Sequence, residues 1–457
     1  MVKILMKNLL NQAIYGLEEK YPQYSLRIWF GSLGKFKLYS FYLLLLAIII
    51  LYPQTLCLGG FIALNILYLT VQLAKICLIL TAVIAKNSKD EEAKQSIELP
   101  IYTILLPVYK EDKTLKKLVK AIDKLDYPKE LLDVKLLIEE DDTKTLSALD
   151  KLILPAFFEV IKIAASFPRT KPKACNYGLL HAKGKYVVVY DAEDRPHPQQ
   201  LKQAIAKFNI CDEKVICIQA RLNFYNKQEN LLTKLFALEY SILFNYILVG
   251  LKKLNMPIPL GGTSNHFLRE KLQEIGGWDA FNVTEDADLG IRLHKEGYRT
   301  ELINSITLEE SPVSLKAWIV QRARWIKGHF LTSILHLQHS RKLGIKGIIG
   351  VYASLYLPNL IYLLLPIYLV LRCFVDEPNI LDNLWQFNLI LGIILPIGYS
   401  MFIMSIEKWH KFWWACLFSI LYYWLLPIAA IRAFWQILYC PFYWDKTEHG
   451  VSVNYEE

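Results

Sequence analysis

Apolar residues come in blocks along this chain, and the blocks set the architecture before any motif is read. A helix rising about 1.5 Å per residue needs about 20 apolar residues to cross bilayer hydrocarbon. Residues 38–57 (LYSFYLLLLAIIILYPQTLC) meet that length, as do residues 61–85 (FIALNILYLTVQLAKICLILTAVIA). Gly59 and Gly60 stand between them and predict a tight helical hairpin. Residues 347–372, 385–405 and 412–438 are three further candidates. The 54% hydrophobic content of the 457 residues therefore belongs to the two ends, around a middle of ordinary globular composition. The blocks divide the chain into an interfacial region at 1–37, a helical pair at 38–85 and a charged linker at 86–99. A globular domain at 100–316, interfacial helices at 317–346, about three spans at 347–440 and a tail at 441–457 follow.

Charge gives the expected orientation. Lys3, Lys7, Lys20, Arg27, Lys35 and Lys37 precede the first span, which places the N-terminus in the cytosol. Two crossings return the chain there, so the globular domain is expected to be cytosolic and the protein a multi-pass one of the inner membrane. The connection at 374–384 carries Asp376, Glu377 and Asp382 without Lys or Arg, as an external loop should. No cleaved signal peptide is expected, because the first 35 residues hold no compact apolar run. Ile4, Leu5, Leu9, Ala13, Ile14 and Leu17 recur at helical spacing instead and predict a helix lying on the lipid surface. The net charge of +9 is explained by this topology, and no nucleic-acid signature accompanies it. Eight cysteines without a CxxC pair read as free thiols, and His336-x-x-His339 reads as a polar helix face.

From Pro100 onward short apolar runs alternate with amphipathic segments. Ile101–Val108, Val134–Ile138, Tyr186–Tyr190 and Val215–Gln219 read as strands, with helices at Asp112–Leu125 and Gln199–Phe208. This predicts an α/β domain, a mostly parallel sheet with flanking helices. Ligands of such sheets bind at the carboxyl ends of strands, here the loops near Tyr109, Glu139 and Asp191.

Those loops are acidic. Asp191-Ala192-Glu193-Asp194 follows YVVVY, and alternate residues of an extended stretch share a side. Asp191 and Glu193 can therefore converge on one Mg2+ or Mn2+, which commonly takes one or two carboxylates plus substrate phosphates; a solvated turn is the plain alternative. Thr284-Glu285-Asp286 opens a helical pattern, where the acids either favour the helix dipole or supply a general base. Pro107–Glu111 and Glu139–Asp142 close two strands, Lys173 of KPKACN can neutralise a phosphate, and Gly261–Phe267 offers a glycine-rich turn. Gln321-Arg322-Ala323-Arg324-Trp325 places two cations, an amide and an indole just before a span; a basic helix resting on headgroups is its plain alternative.

In order, PVYKE, EEDD, KPKACN, DAED, GGTSNHF, TED and QRARW resemble the family 2 inverting glycosyltransferases, in their membrane-embedded, cellulose-synthase-like processive branch. The resemblance covers roughly residues 100–330 and implies a GT-A-like domain between transmembrane segments. It implies that Tyr109 and Glu111 lie near the base and ribose of a nucleotide sugar, with Glu139 or Glu140 close by and Lys173 toward the diphosphate. Asp191 and Glu193 match the metal-binding acids, although the second is Glu where the family has Asp, so Asp194 is a substitute candidate. Asp286 matches the catalytic base. Glu285, Gln321, Arg324 and Trp325 match the region near acceptor and pyrophosphate.

The implied reaction is transfer of a hexosyl unit, from a UDP-sugar by preference, to a growing β-linked polysaccharide. A non-processive transfer of one sugar to a lipid carrier is the second reading. A transporter or scaffold with a degenerate nucleotide-binding domain is the third. Expected partners are the nucleotide sugar, a polysaccharide or lipid-linked acceptor, the bilayer and accessory export subunits. The tail Pro441–Thr447 lies outside the cell if 412–438 is one span, and returns to the catalytic face if Pro427 and Arg432 break it into a hairpin.

Overall fold

The alternation from residue 100 folds into one mixed sheet. The computed structural model describes residues 2–31, 53–86, 98–338, 340–372 and 379–452, with scattered positions between 36 and 51. Most of the predicted first span, most of the 86–99 linker, the start of the 374–384 connection and His339 lie outside the described residues.

The strands are β1 (Tyr102–Val108), β2 (Leu132–Glu139), β3 (Phe158–Ile163), β4 (Tyr186–Val189), β5 (Arg195–Pro196), β6 (Val215–Phe224), β7 (Asn265–Leu268) and β8 (Arg299–Glu309). Their order is β3-β2-β1-β4-β7-β6-β8-β5. β1 pairs in parallel with β2 and β4, β2 with β3, and β6 with β8, while β7 and the short β5 run antiparallel to their neighbours. Parallel strands covered on both faces read as unbroken apolar runs, which is why YTILLPV and YVVV carried so clear a signal. Successive residues alternate between two cores: Leu105, Leu137 and Val187 enter one, Ile104, Leu136 and Val188 the other.

The helices that matter here are α1 (Val2–Lys20), α2 (Pro53–Lys86), α3 (Leu115–Asp123), α4 (Lys171–Leu180) and α5 (Gln200–Ile210). α6 runs from Leu231 to Lys253 through a π turn at Leu243–Ile247, and α7 (Glu285–Lys295) and α8 (Leu315–Leu337) follow. α9 begins at Gly344–Val351, passes a π turn at Tyr352–Tyr356 and continues as Leu357–Arg372. α10 (Asn379–Ile406), α11 (Ser419–Trp424) and α12 (Leu426–Tyr439) complete the set.

Five helical runs among the described residues are long and apolar enough to cross a membrane: Leu58–Ala85, Leu231–Lys253, Ser340–Pro366, Gln386–Ile406 and His410–Tyr439. Three expectations change. Gly59 and Gly60 lie inside the continuous helix α2, so any boundary between the first two spans falls at or before Pro53. Two adjacent glycines weaken a helix without ending it when its apolar flanks continue. α6 was not anticipated as a membrane-length run. Its apolar window is 67% buried, because it is wedged between the sheet and α2; a Cβ at Gly250 would lie 2.4 Å from the Leu78 carbonyl oxygen.

The run 412–438 folds back rather than passing straight through. Trp409, just before it, has Lys227 Nζ 4.5 Å from its ring centre, and Trp444, just after it, lies 4.6 Å from the Arg324 guanidinium. Lys227 belongs to the globular domain, and Arg324 of α8 lines the cavity at its strand ends. The chain breaks at Leu425, between α11 and α12, with Pro427 in the first turn of α12. The tail therefore returns to the globular domain.

The N-terminal helix forms as expected, but half of its apolar stripe is buried on protein. Ala13, Ile14 and Leu17 are buried, and Asn176 of α4 donates to the Ala13 carbonyl at 2.9 Å, leaving Ile4 and Met6 exposed. His336 is not on a polar face. It is fully buried, 2.9 Å from Asp288 Oδ1.

Candidate active site

The carboxyl ends of β1, β2, β4 and β8 open onto one cavity of about 240 Å³. Tyr109 and Glu111 line it after β1, Glu139 at the end of β2, and Asp191 and Glu193 after β4. Glu285 and Asp286 enter from the first turn of α7; Gln321, Arg324 and Trp325 enter from α8. Positions 321, 324, 325 and 328 recur at three- and four-residue spacing, so they share one face of α8. Gly328 lets that face approach the turn before α7: a Cβ there would lie 2.4 Å from Thr284 Oγ1 and Cγ2. Gly328→Ala should lower stability by about 1–3 kcal/mol through overpacking, read by thermal denaturation in detergent, and should slow turnover by displacing Arg324 from Asp286. An unaltered melting temperature would refute this packing role.

Asp286 Oδ1 accepts the Ala287 backbone N–H at 2.8 Å. A Cβ built on Gly262 would be 3.4 Å from Asp286 Oδ2, 3.9 Å from Asp191 Oδ2 and 3.9 Å from Lys171 Nζ, so one small volume touches all three groups. Glycine leaves that volume open to a ligand. Burial pushes Asp286 up to about 6, while Ala287 N–H, Lys171 and Arg324 hold it down. Burial, then the charge of Asp286, pushes Glu285 up to about 8.

The two lysines of KPKACN divide. Lys171 pairs with Asp191 and donates to the Gly262 carbonyl at 2.7 Å, in the cavity wall. Lys173, expected to face a diphosphate, is fully buried behind it, 2.7 Å from Glu139 Oε1 and 3.0 Å from the Ser166 carbonyl. Residues two apart on a helix point about 200° apart, so only one lysine could reach the cavity. Glu139 lines it whereas Glu140 is exposed and does not. Asp194 lies under the DAED turn, where its carboxylate accepts from Asp191 N–H at 2.7 Å and from the Thr263 hydroxyl; it shapes the loop rather than lining the cavity. Arg322 is buried and paired with Glu239 and the Tyr422 hydroxyl, not turned to headgroups.

Several polar groups of the cavity have atoms without a hydrogen-bond partner, among them Glu139, Thr447, Gln321 and Arg324. Arg324 forms no ion pair among the described residues and its Nε is unpartnered; Gln321 Oε1 is likewise unpartnered. Buried polar groups are nearly always hydrogen-bonded, so such atoms mark where a ligand would bind. For a divalent cation, Asp191 and Glu193 offer two hard oxygen donors on one wall. Among the described residues no group of three His, Cys, Asp or Glu side chains is assembled for a metal. Two carboxylates fit Mg2+ or Mn2+ provided that substrate phosphates complete the shell.

A family model described as "Glycosyl transferase family group 2" matches residues 186–444, more than half of the chain. The chain belongs to that family. Among curated relatives, the "Probable glycosyltransferase YdaM" of Bacillus subtilis (strain 168) is 27% identical over 258 residues, 55% of this chain and 60% of the relative. The "Probable glucomannan 4-beta-mannosyltransferase 10" of Arabidopsis thaliana is 23% identical over 381 residues, 80% of this chain and 64% of the relative. The chain thus spans less than two thirds of the length of either relative. A solved structure titled "Mannosyltransferase PcManGT from Pyrobaculum calidifontis in complex with GDP-Man and Mn2+" superposes with a TM-score of 0.58 at 18% identity. It covers 82% of this chain and 99% of its own. That similarity supports the GT-A-like fold expected from the motifs.

This family 2 member also holds cavity residues that sequence reasoning missed. Glu309 closes β8 and lines the cavity, with burial and then the charge of Asp194 raising its carboxyl well above the usual range. The strand at 299–309 carries no continuous apolar block, so nothing in the sequence pattern points to its carboxyl end. The tail brings Trp444, Lys446 and Thr447, from the segment whose return to the catalytic face was one of two alternatives, and also His449, which lies beyond that segment. Lys446 Nζ lies 2.8 Å from Glu111 Oε1, and His449 Nδ1 lies 2.9 Å from Glu193 Oε2 and 3.4 Å from Glu111 Oε1. The Pro441–Thr447 motif was visible; its side of the membrane was not.

Proposed function

We propose that this family 2 member is a membrane-embedded inverting glycosyltransferase that moves a hexosyl unit from a nucleotide sugar to a glycan held at the bilayer. The observation that carries this is the meeting of Asp286, Asp191 and Lys171 around one open volume beside Gly262, in a cavity that Arg324 also lines. Asp286 would take the proton of the acceptor hydroxyl. The freed oxygen pair attacks the anomeric carbon from the side opposite the nucleotide, and the bond to the diphosphate breaks with its electrons on the leaving oxygen. Arg324 and Lys171 stabilise that growing charge electrostatically. A divalent cation held by Asp191 and Glu193 would add Lewis-acid stabilisation of the same diphosphate. Tyr109 and Glu111 face the base and ribose, and Trp325 offers a flat face to the acceptor sugar.

His449 and Lys446 occupy the acids that a cation and ribose would need, so the tail has to shift when the donor loads. A donor screen on the purified chain tests the proposal, with UDP-hexoses and GDP-mannose supplied with Mn2+ or with chelator. One donor is expected to be consumed with inversion, and chelation to slow it at least tenfold. Absence of binding and turnover for every nucleotide sugar would refute it.

A further inference from the structure

A second cavity, of about 330 Å³, lies among the membrane-length helices α2, α9 and α10, with α6 and α11 closing it. Only one helix separates it from the candidate active site. On α6, Tyr240 and Phe244 face the first cavity, Glu239 and Ile247 the second, and Leu243 lines both. The π turn of α6 starts at Leu243, and the π turn of α9 brings Ala353 and Ser354 to the second cavity. Such single-turn insertions are frequent at functional sites in helices.

The lining is mixed, and its charge is decisive. Aliphatic side chains such as Leu64, Val71, Ile361 and Ile393 supply most of the wall. Lys75 of α2 lies ten residues before Ala85, about 15 Å of helix inside the run's end. Its ammonium donates to the Tyr399 hydroxyl at 3.0 Å and the Tyr423 hydroxyl at 3.5 Å, with the Tyr399 ring centre 4.3 Å away. No carboxylate lies within ion-pair distance of it among the described residues. Glu239, the acid in this cavity, is already paired with Arg322. An ionisable side chain at membrane depth is costly unless it serves a ligand or finds a partner. The Tyr423 and Tyr399 hydroxyls also hydrogen-bond to each other, which uses one of their two protons and leaves one to donate onward, so the cluster presents positive charge together with an O–H donor. A neutral glycan needs no such cation; an anionic group on an apolar stem does.

We propose that this cavity seats the phosphate of a lipid-linked acceptor, with Lys75, Tyr399 and Tyr423 holding the phosphate and the aliphatic wall its hydrocarbon. The glycan end then reaches Asp286 past Leu243. This rests on the glycosyltransferase reading above for the acceptor's role, but the binding site stands on its own geometry.

The test uses the full chain in nanodiscs and a photoactivatable polyprenyl phosphate as probe. Labelling should be competed by unlabelled polyprenyl phosphate, and at least tenfold more weakly by polyprenol or by inorganic phosphate. Lys75→Met, which keeps the stem and removes the charge, should reduce labelling at least tenfold, and Lys75→Arg should restore most of it. Binding of a nucleotide sugar, measured in the same samples, should be unchanged in both variants and reports folding as well. Equal competition by polyprenol would overturn the phosphate assignment, and equal competition by inorganic phosphate the lipid assignment. Undiminished labelling of Lys75→Met would overturn the site. Specific lipid labelling without any nucleotide-sugar binding in wild type would uphold the site while sinking the glycosyltransferase reading.

Discussion

Asp286→Asn is expected to lower kcat by about 10²–10⁴, the usual worth of a positioned general base, while leaving donor affinity within a few-fold of wild type. The amide matches the carboxylate in size and can still accept the Ala287 N–H that fixes Asp286 Oδ1 at 2.8 Å, so the loss isolates proton transfer from packing. The same assignment predicts the acid limb of the pH profile. Burial raises the Asp286 carboxyl to about 6, and a base works only when deprotonated. Turnover should therefore be nearly full above pH 7 and fall about tenfold per unit below pH 6. Glu285, raised to about 8 by burial and by Asp286, stays largely protonated at neutral pH and leaves the single negative charge of the pair on Asp286. Initial-rate kinetics from about pH 3.5 to 8 would check the position of the acid limb. A limb near pH 4, or full activity in Asp286→Asn, would remove Asp286 from the base role.

What the sequence made legible follows from how local each signal was. Doubly covered parallel strands wrote continuous apolar runs, so β1, β2, β4 and β6 were visible, and with them the loops at Tyr109, Glu139 and Asp191. β7 and β8 were not. β7 is only four residues long, and β8 buries only three of its eleven residues; neither gives an apolar block, and Glu309 was lost with β8. Spacing alone could show that 321, 324 and 325 share a helix face, yet not that Arg322 on another face would find Glu239, 83 residues earlier in the chain. The choice between Lys171 and Lys173 needed the helix start, because two residues of register reverse which lysine meets the cavity. Likewise α6 reads as a mostly apolar run between Lys234 and Lys252, and its long-range packing, Gly250 against Leu78 included, reveals that protein covers it. Long-range pairing decided each point that short-range pattern left open.

Arg324→Ala should cost about 10²–10³ in kcat, comparable to removing one preorganised donor from a site of developing negative charge. Its guanidinium stacks on Trp444 and forms no ion pair among the described residues, although Glu285, Asp191 and Asp286 lie close enough to favour its charge. A cation so placed has capacity left for a diphosphate. The loss should fall on kcat more than on donor KM, because negative charge on the leaving oxygen grows toward the transition state. Arg324→Lys should recover part of the rate, limited by the loss of the planar fork that can bind two phosphate oxygens at once. Arg322→Met supplies the contrast. Its partner Glu239, 24% exposed and still bonded by the Tyr422 hydroxyl, would lose its counter-charge, a change worth about 1–3 kcal/mol of stability, with the surviving folded enzyme retaining near-normal turnover per molecule. Active-site titration with a tight-binding nucleotide, combined with thermal denaturation, separates the two arginines. If Arg322→Met lost chemistry and Arg324→Ala lost only stability, the assignment of 324 to the leaving group would be reversed, and Glu239–Arg322 would become the charged pair that meets the substrate.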